Sequence, residues 1–405
     1  MARWPLRFAW SSFSARNEQE SKLDIWTPLK TLFLRPNSDV LFLRSANISL
    51  CYPVRAMVQS RRAHQDRSFL GGGIFKWGVA VLFAASASAA HAAEKQVFTV
   101  YTYDAFAADW GPAPKVKEAF EKTCECVLKF VAADSAIGAL RKVQLEGDDT
   151  QADIVLGLDT NVMEAARATG LFIAHEADMS GLALPIEWTD KTFLPFDYGH
   201  FAFVYDKTKL SIVPDSFAAL AAMPDEFKII IQDPRASTPG LGLALWVHAV
   251  FGDEAGAYWR SIAPKILTVT KSWSDAYGLF LKGEADMVLS YTTSPAYHLI
   301  AEQNTNYESA PFTDGHYAQI EVAAIVKSTP FPRIAKKFMA FMVSDEFQNI
   351  IPTTNWMYPA VKTAVGLPAG FETLSTPNKT LLLDATDVED KRKAIIDTWL
   401  QALNP

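Results

Sequence analysis

From residue 96 to its end the chain alternates short apolar runs with amphipathic stretches, and no other feature constrains its fold as much. Residues 153–158 (DIVLGL) carry a continuous apolar run, the pattern of a strand buried on both faces. Strand patterns recur at 96–103 (QVFTVYTY), 126–132, 200–205 (HFAFVY), 228–232 (KIIIQ), 266–270, 286–291 (DMVLSY) and 317–326. Helical spacing separates them at 114–122, 137–146, 160–169, 239–251, 272–282, 333–347 and 387–403, with Gly170 as a stop. Strands alternating with helices imply an α/β sheet with parallel strands. The length of this region implies two such lobes, and the lack of a Pro-, Gly- or Ser-rich linker suits lobes joined by strand crossings.

The first ninety residues follow a different logic. Arg61, Arg62 and Arg67 precede an apolar run over 74–85, and small residues then lead to Ala90-His91-Ala92. Basic, apolar and A-x-A segments in that order are a secretion signal, and the run is short of the ~20 residues of a spanning helix. Cleavage after Ala92 leaves a chain starting at Ala93, the alternative being an uncleaved anchor. Ser60-Arg61-Arg62 hints at a twin-arginine signal, but Ala63-His64 lacks the apolar residues that should follow. Residues 1–56 look like neither signal nor domain, so translation is expected to begin at Met57, with 57–92 as the signal peptide.

Charge then narrows the partner. Residues 93–405 hold 26 Lys and Arg against 40 Asp and Glu, a net −14, whereas the first 92 residues are basic. So acidic a body is a poor polyanion binder, and nucleic acid is not an expected partner. Three Cys in 405 residues exclude a disulfide scaffold. Only Cys124 and Cys126 follow the signal, and in an oxidising compartment an i,i+2 bridge between them is open but strained.

In open α/β sheets ligands sit where strands end and helices begin. Five such junctions here are rich in aromatics and hydroxyls. The first holds Tyr103 and Asp104, with Trp110 close behind. In the second, QDPRASTPG, Thr238 reads as N-cap with Pro239 at the first helical position. Ser237, Thr238 and the amides of Gly240 and Leu241 would then form an anion seat. The third holds Trp273 between Ser272 and Asp275, a capping-box pattern. The fourth, SYTTSPAY, carries Tyr291 and Tyr297. The fifth, PTTNWMYP, is a loop too aromatic to be merely solvated. Aromatic faces and helix N-termini together suit a flat cation with an anionic tail. The chain has no H-E-x-x-H, G-x-S-x-G or P-loop motif, and His175, His200, His248, His298 and His316 are too scattered for a local metal motif.

The blocks VYTYDAFAADWGP, ADIVLGLD, PFDYGHFAFVYD, QDPRASTPGLGL, SDAYGLFLKGEADMVLSYTTSPAYH and IPTTNWMYP closely resemble the periplasmic thiamine-binding proteins of bacterial ABC importers, in order and across nearly all of 96–405. The resemblance implies a two-lobed periplasmic-binding-protein fold of the two-crossover type, with the ligand in the interlobe cleft. It places lobe 1 at 93–198 and 317–405, and lobe 2 at 199–316. It implies capture of thiamine, its monophosphate and its diphosphate, delivery to the permease and ATPase subunits of an importer, and no cofactor or enzymatic activity.

By motif, Tyr103, Trp110, Trp273, Tyr291 and Tyr297 would form the aromatic part of the pocket. Ser237, Thr238, Asn355 and Trp356 would hold the phosphate, with Tyr277 and Tyr358 as further members. Where the family carries E-D-G after the second strand, this chain has Ala133-Asp134-Ser135-Ala136, so Asp134 is displaced by one place. The C-x-C pair matches a family feature and implies a structural role. The alternatives are a thiamine-degrading transferase on the same scaffold, which would need a cysteine nucleophile, or a receptor for polyamine or iron(III). For iron the candidate ligands are Tyr101, Tyr103, Tyr198 and Tyr291.

Overall fold

The computed structural model describes residues 95–403, so the expected upstream extension and signal peptide lie outside the described residues. The described chain opens with β1 (Val97–Tyr103), α1 (Asp104–Ala107), α2 (Ala113–Cys124), β2 (Val127–Ala133), α3 (Ala136–Glu146) and β3 (Ile154–Asp159). Helix α4 (Met163–Ala168) and the two-residue β4 (Phe172–Ile173) lead into the long β5 (Phe193–Asp206). Next come α5 (Phe217–Ala222), β6 (Ile229–Gln232), α6 (Thr238–Phe251), α7 (Ala255–Ile262) and β7 (Ile266–Thr270). They are followed by α8 (Trp273–Leu281), β8 (Met287–Tyr291), α9 (Pro295–Ala301) and β9 (Tyr307–Ser309). The chain returns along β10 (His316–Val326) to α10 (Pro332–Met342), α11 (Asp345–Gln348), β11 (Tyr358–Pro359), β12 (Thr380–Leu381) and α12 (Ala385–Leu403).

Hydrogen bonding orders the main strands β2-β1-β3-β10-β5-β8-β6-β7. β1 runs parallel to β2 and β3, and β6 parallel to β7 and β8, as the alternating pattern requires. Between these two parallel groups lie the antiparallel strands β10 and β5. Residues Phe193 to His200 of β5 pair with β10, and Phe201 to Tyr205 pair with β8. One strand therefore serves both lobes. Its first half reads poorly in sequence because Pro195, Asp197 and Gly199 interrupt the apolar run, yet all of β5 except Tyr198 is buried.

Side-chain caps set several helix starts. Ser135 accepts from the Gly138 amide at the head of α3, and Ser272 from the Asp275 amide at the head of α8 (3.0 and 3.1 Å). The expected helix over 333–347 is two helices, because Ser344 takes extended backbone after α10 and caps α11. Helix α6 starts one residue earlier than the pattern suggests. Ser237 is its N-cap, and Thr238 lies inside the first turn. Cys124 and Cys126 are joined in a disulfide between α2 and β2.

Each lobe has its own aromatic core. In the first, the fully buried rings of Phe98, Phe120 and Phe338 meet between β1, α2 and α10, with Phe120 edge-on to Phe338 at 5.0 Å. Burial of each contributes roughly 1.5–3 kcal/mol. In the second, Trp246 of α6 and Trp259 of α7 are buried in one cluster with Ile395 and Trp399 of α12. The C-terminal helix α12 packs on α6 and α7, and also on α4. No helix among the described residues is long and apolar enough to cross a membrane.

Candidate ligand-binding site

A cavity of about 560 Å³ lies between the lobes, within the range of small-molecule sites. Its walls come from strand ends and helix starts: Tyr103 to Ala105 at the end of β1, Asp134 to Ala136 after β2, Ser237 to Pro239 at the head of α6, and one face of α8. The strand end at Tyr291, helix α9 and residues 353–357 complete it. Eleven of the expected site residues are brought together here: Tyr103, Trp110, Asp134, Ser237, Thr238, Trp273, Tyr277, Tyr291, Tyr297, Asn355 and Trp356. Tyr358 is not among the lining residues. It pairs with Tyr198 across β11 and β5 and stacks on that ring at 5.4 Å.

The aromatic side chains are fixed by neighbours rather than left loose. Trp273 donates its indole N–H to Ser290 Oγ (2.8 Å) and stacks on Tyr277 (4.9 Å, 23° between planes). Tyr277 in turn hydrogen-bonds His298 Nε2 at 2.9 Å, so it backs Trp273 as much as it lines the cavity. Tyr291 stacks on Phe201 at 5.2 Å, and Tyr297 meets Trp356 edge-on at 5.4 Å. Trp110, 57% exposed, stands at the rim. Trp356 has φ of 57°, in the left-handed region where a bulky residue costs of order 1–3 kcal/mol. Close approach fixes Tyr103 as well: a Cβ on Gly157 (φ +99°) would come within 2.4 Å of its ring.

At one end two helix N-termini meet. The Ser135 hydroxyl, which caps α3, also donates to the Ala236 carbonyl of the opposite lobe. Ser237 is buried, yet its side chain makes no capping bond to α6, so the hydroxyl is not spent on its own helix. The anion seat is narrower than the sequence suggests, because the Leu241 amide already donates to the Ser237 carbonyl (3.0 Å).

The floor is acidic, which the motifs did not suggest. Glu321 of β10 lines the cavity and accepts from Tyr103 Oη (2.9 Å), Gln319 Nε2 (3.2 Å) and Asn355 Nδ2 (3.2 Å). Asn355 also donates to Asp197 Oδ2 (2.6 Å) and accepts from Tyr103 (3.1 Å). Its amide hydrogens therefore go to the carboxyl groups of two buried acids, where the sequence reading expected a phosphate. Asp104, also in the lining, is raised above the usual carboxylate range by burial, against the lowering effect of bonds from Ala105, Ser274 and Ser272. Burial and then the Glu321 charge push the Tyr103 hydroxyl well up. No Lys, Arg or His lines the cavity among the described residues. An acid leading directly into the apolar run VAAIV of the strand HYAQIEVAAIV was the available signal for Glu321.

A family model for bacterial extracellular solute-binding proteins matches residues 115–375. The chain belongs to that family. This solute-binding protein is 52% identical over 310 residues to the thiamine-binding periplasmic protein of Escherichia coli (strain K12), covering 76% of this chain and 94% of the relative. It is 49% identical over 321 residues to the thiamine-binding periplasmic protein of Brucella melitensis, covering 79% and 96%. A solved structure titled periplasmic thiamin binding protein superimposes with a TM-score of 0.75 at 52% identity, covering 77% of this chain and 97% of that one. The two-lobed fold expected from the sequence is therefore the fold of this family.

Proposed function

We propose that the protein is a periplasmic receptor that captures thiamine and its phosphate esters and passes them to the permease and ATPase subunits of an ABC importer. The observation that carries this reading is the cavity itself: an aromatic cleft, lined by no Lys, Arg or His among the described residues, with a buried acid and two helix N-termini in its wall. The named relatives at about half identity support it. Thiazolium and aminopyrimidine rings suit the tyrosines and Trp273, since a cation over an indole gains roughly 0.5–2 kcal/mol. Phosphate suits the hydroxyls of Ser237 and Thr238 and the amides of the helix starts, with Trp356 as a further donor.

Two features favour a receptor over the alternatives. Both cysteines among the described residues are bonded to each other, which leaves no thiol for a transferase. Of the four tyrosines that an iron site would use, only Tyr103 and Tyr291 line the cavity, while Tyr101 lies under Lys142 and Tyr198 under Tyr358. Calorimetric titration of the purified protein with thiamine and thiamine diphosphate, followed by assay of the recovered ligand, tests the reading. One-to-one binding with intact ligand is expected. Absence of heat, or a chemically altered ligand, would overturn it.

A further inference from the structure

Three carboxyl groups stand in register across three adjacent strands beneath the cavity. Glu321 of β10 is paired with Asp159 of β3 on one side and with Asp197 of β5 on the other. All three are buried, and only Glu321 reaches the cavity wall. The donors to this row are neutral: Asn161 N and Nδ2 to Asp159 (both 3.0 Å), and Tyr103, Gln319 and Asn355 to the other two. Asp197 Oδ1 receives no hydrogen bond from any amide, amine or hydroxyl. Asp197 and Glu321 face each other across the β5–β10 register, where two ionised carboxylates would repel.

Buried charge without a partner is costly, and a row of acids with no cation responds by keeping protons. Burial carries Asp159 and Asp197 up to about 7. Burial, followed by the Asp197 charge, pushes Glu321 well above its ordinary value. The titratable groups that face the row are Tyr103 of β1, Tyr291 of β8 and Tyr317 of β10, all themselves pushed up by burial and by these acids. The missing component is a positive charge, and the place left for it is the cavity.

We propose that the Asp159–Glu321–Asp197 row is the built-in counter-ion of the cleft, selecting a permanently cationic ligand and releasing a proton to solvent when that ligand enters. This rests on the thiamine reading for the identity of the cation, the thiazolium ring. Ligand and proton are linked reciprocally: a cation that favours the ionised row binds more tightly as pH rises.

The test is calorimetry at pH 7 on the purified protein, in buffers of different ionisation enthalpy, with thiamine and with 3-deazathiamine, whose neutral thiophene replaces the thiazolium. Thiamine is expected to give buffer-dependent heat that reports proton release. It should bind at least about tenfold more tightly than the neutral analogue, which releases none. Asp197→Asn or Glu321→Gln alone keeps one ionisable member of the pair and should retain part of the preference. The double variant, which keeps only Asp159, the member remote from the cavity wall, should lose most of the release and bring the two ligands to within about threefold. Buffer-independent heat with thiamine still bound, or equal affinities for the two ligands, overturns the proposal and leaves the receptor reading intact. Failure to bind thiamine at all overturns both. If the double variant does not fold, the wild-type measurements decide alone.

Discussion

The hydroxyl of Ser135, in the first lobe, donates to the backbone carbonyl of Ala236 in the second. Arg141 makes a second such bridge, donating from Nη2 to the Arg235 carbonyl at 3.0 Å. The same Ser135 oxygen caps α3, so one side chain joins a helix start of the first lobe to the loop before α6 in the second. Ser135→Ala should cost about 1 kcal/mol of stability through the lost cap. It should also speed release of every thiamine form, read as a higher koff in stopped-flow fluorescence. An unchanged koff would leave Ser135 only its capping role.

Trp273 at the start of α8 and Ser237 at the start of α6 both line the cavity and should separate in their effects. Trp273→Ala removes a cation-stacking face worth roughly 0.5–2 kcal/mol, which weakens thiamine and its phosphates alike. Ser237→Ala removes a hydroxyl at the head of α6, which should weaken the phosphate esters by up to roughly 1.5–3 kcal/mol and thiamine little. Dissociation constants for thiamine and thiamine diphosphate with both variants check this. Equal losses across the two ligands for both variants would refute the division.

Gly157 is where fold and site meet most tightly. Gly157→Ala places a Cβ within 2.4 Å of the Tyr103 ring, in a backbone conformation that favours glycine. Tyr103 is held by Glu321 and Asn355, so it cannot step aside without breaking those bonds. Loss of more than about 1 kcal/mol of stability, with weaker thiamine binding, is expected from denaturant melts and titration.

The acid row gives a stability signature that is cleanest as a difference between proteins. A carboxyl raised in the folded state adds stability fully present below its unfolded pKa. That stability is lost as pH rises through the folded value, here about 7 for Asp159 and Asp197. His200, lowered by burial to about 4, acts in the opposite sense across part of this window, so the empty wild-type curve mixes the two. The Asp197→Asn/Glu321→Gln double variant lacks the contribution of that pair and keeps those of Asp159 and His200. Its Tm relative to wild type, both without ligand, should rise between pH 5 and pH 8. A difference independent of pH would show that the pair is ionised throughout.

The disulfide lies outside the cavity lining and closes a very short loop. Chain entropy assigns such a loop about 1–2 kcal/mol. Replacing Cys124 and Cys126 together by Ser should lower Tm by a few degrees and leave thiamine affinity unchanged. Consumption of thiamine by the native protein, lost in this variant, would instead indicate enzymatic chemistry.

Much of the fold was legible because burial on both faces writes itself as apolar runs. The runs in 153–158 and 228–232 became β3 and β6 within a residue or two. Helices α5 and α7 were not read, α5 being only six residues long and α7 following α6 after a single 3-10 turn. The aromatic and hydroxyl members of the site announce themselves at strand ends, so Trp273 and Ser237 could be placed before any coordinates. Asp197 and Glu321 could not, because what makes them a pair is the register between β5 and β10, which neither strand's composition contains. The neighbours of Asn355 were hidden for the same reason: its hydrogen-bond partners come from strands far away in sequence.

Because β5 passes from one lobe into the other without a break, neither lobe is a detachable cassette. A gene fragment ending near His200 would encode a strand cut off from its β8 partner, and the return strand β10 would be missing from it. Recombination between relatives can therefore exchange loops and helices around the cleft far more readily than whole lobes. Changes of specificity in such a molecule arise residue by residue at the cavity wall.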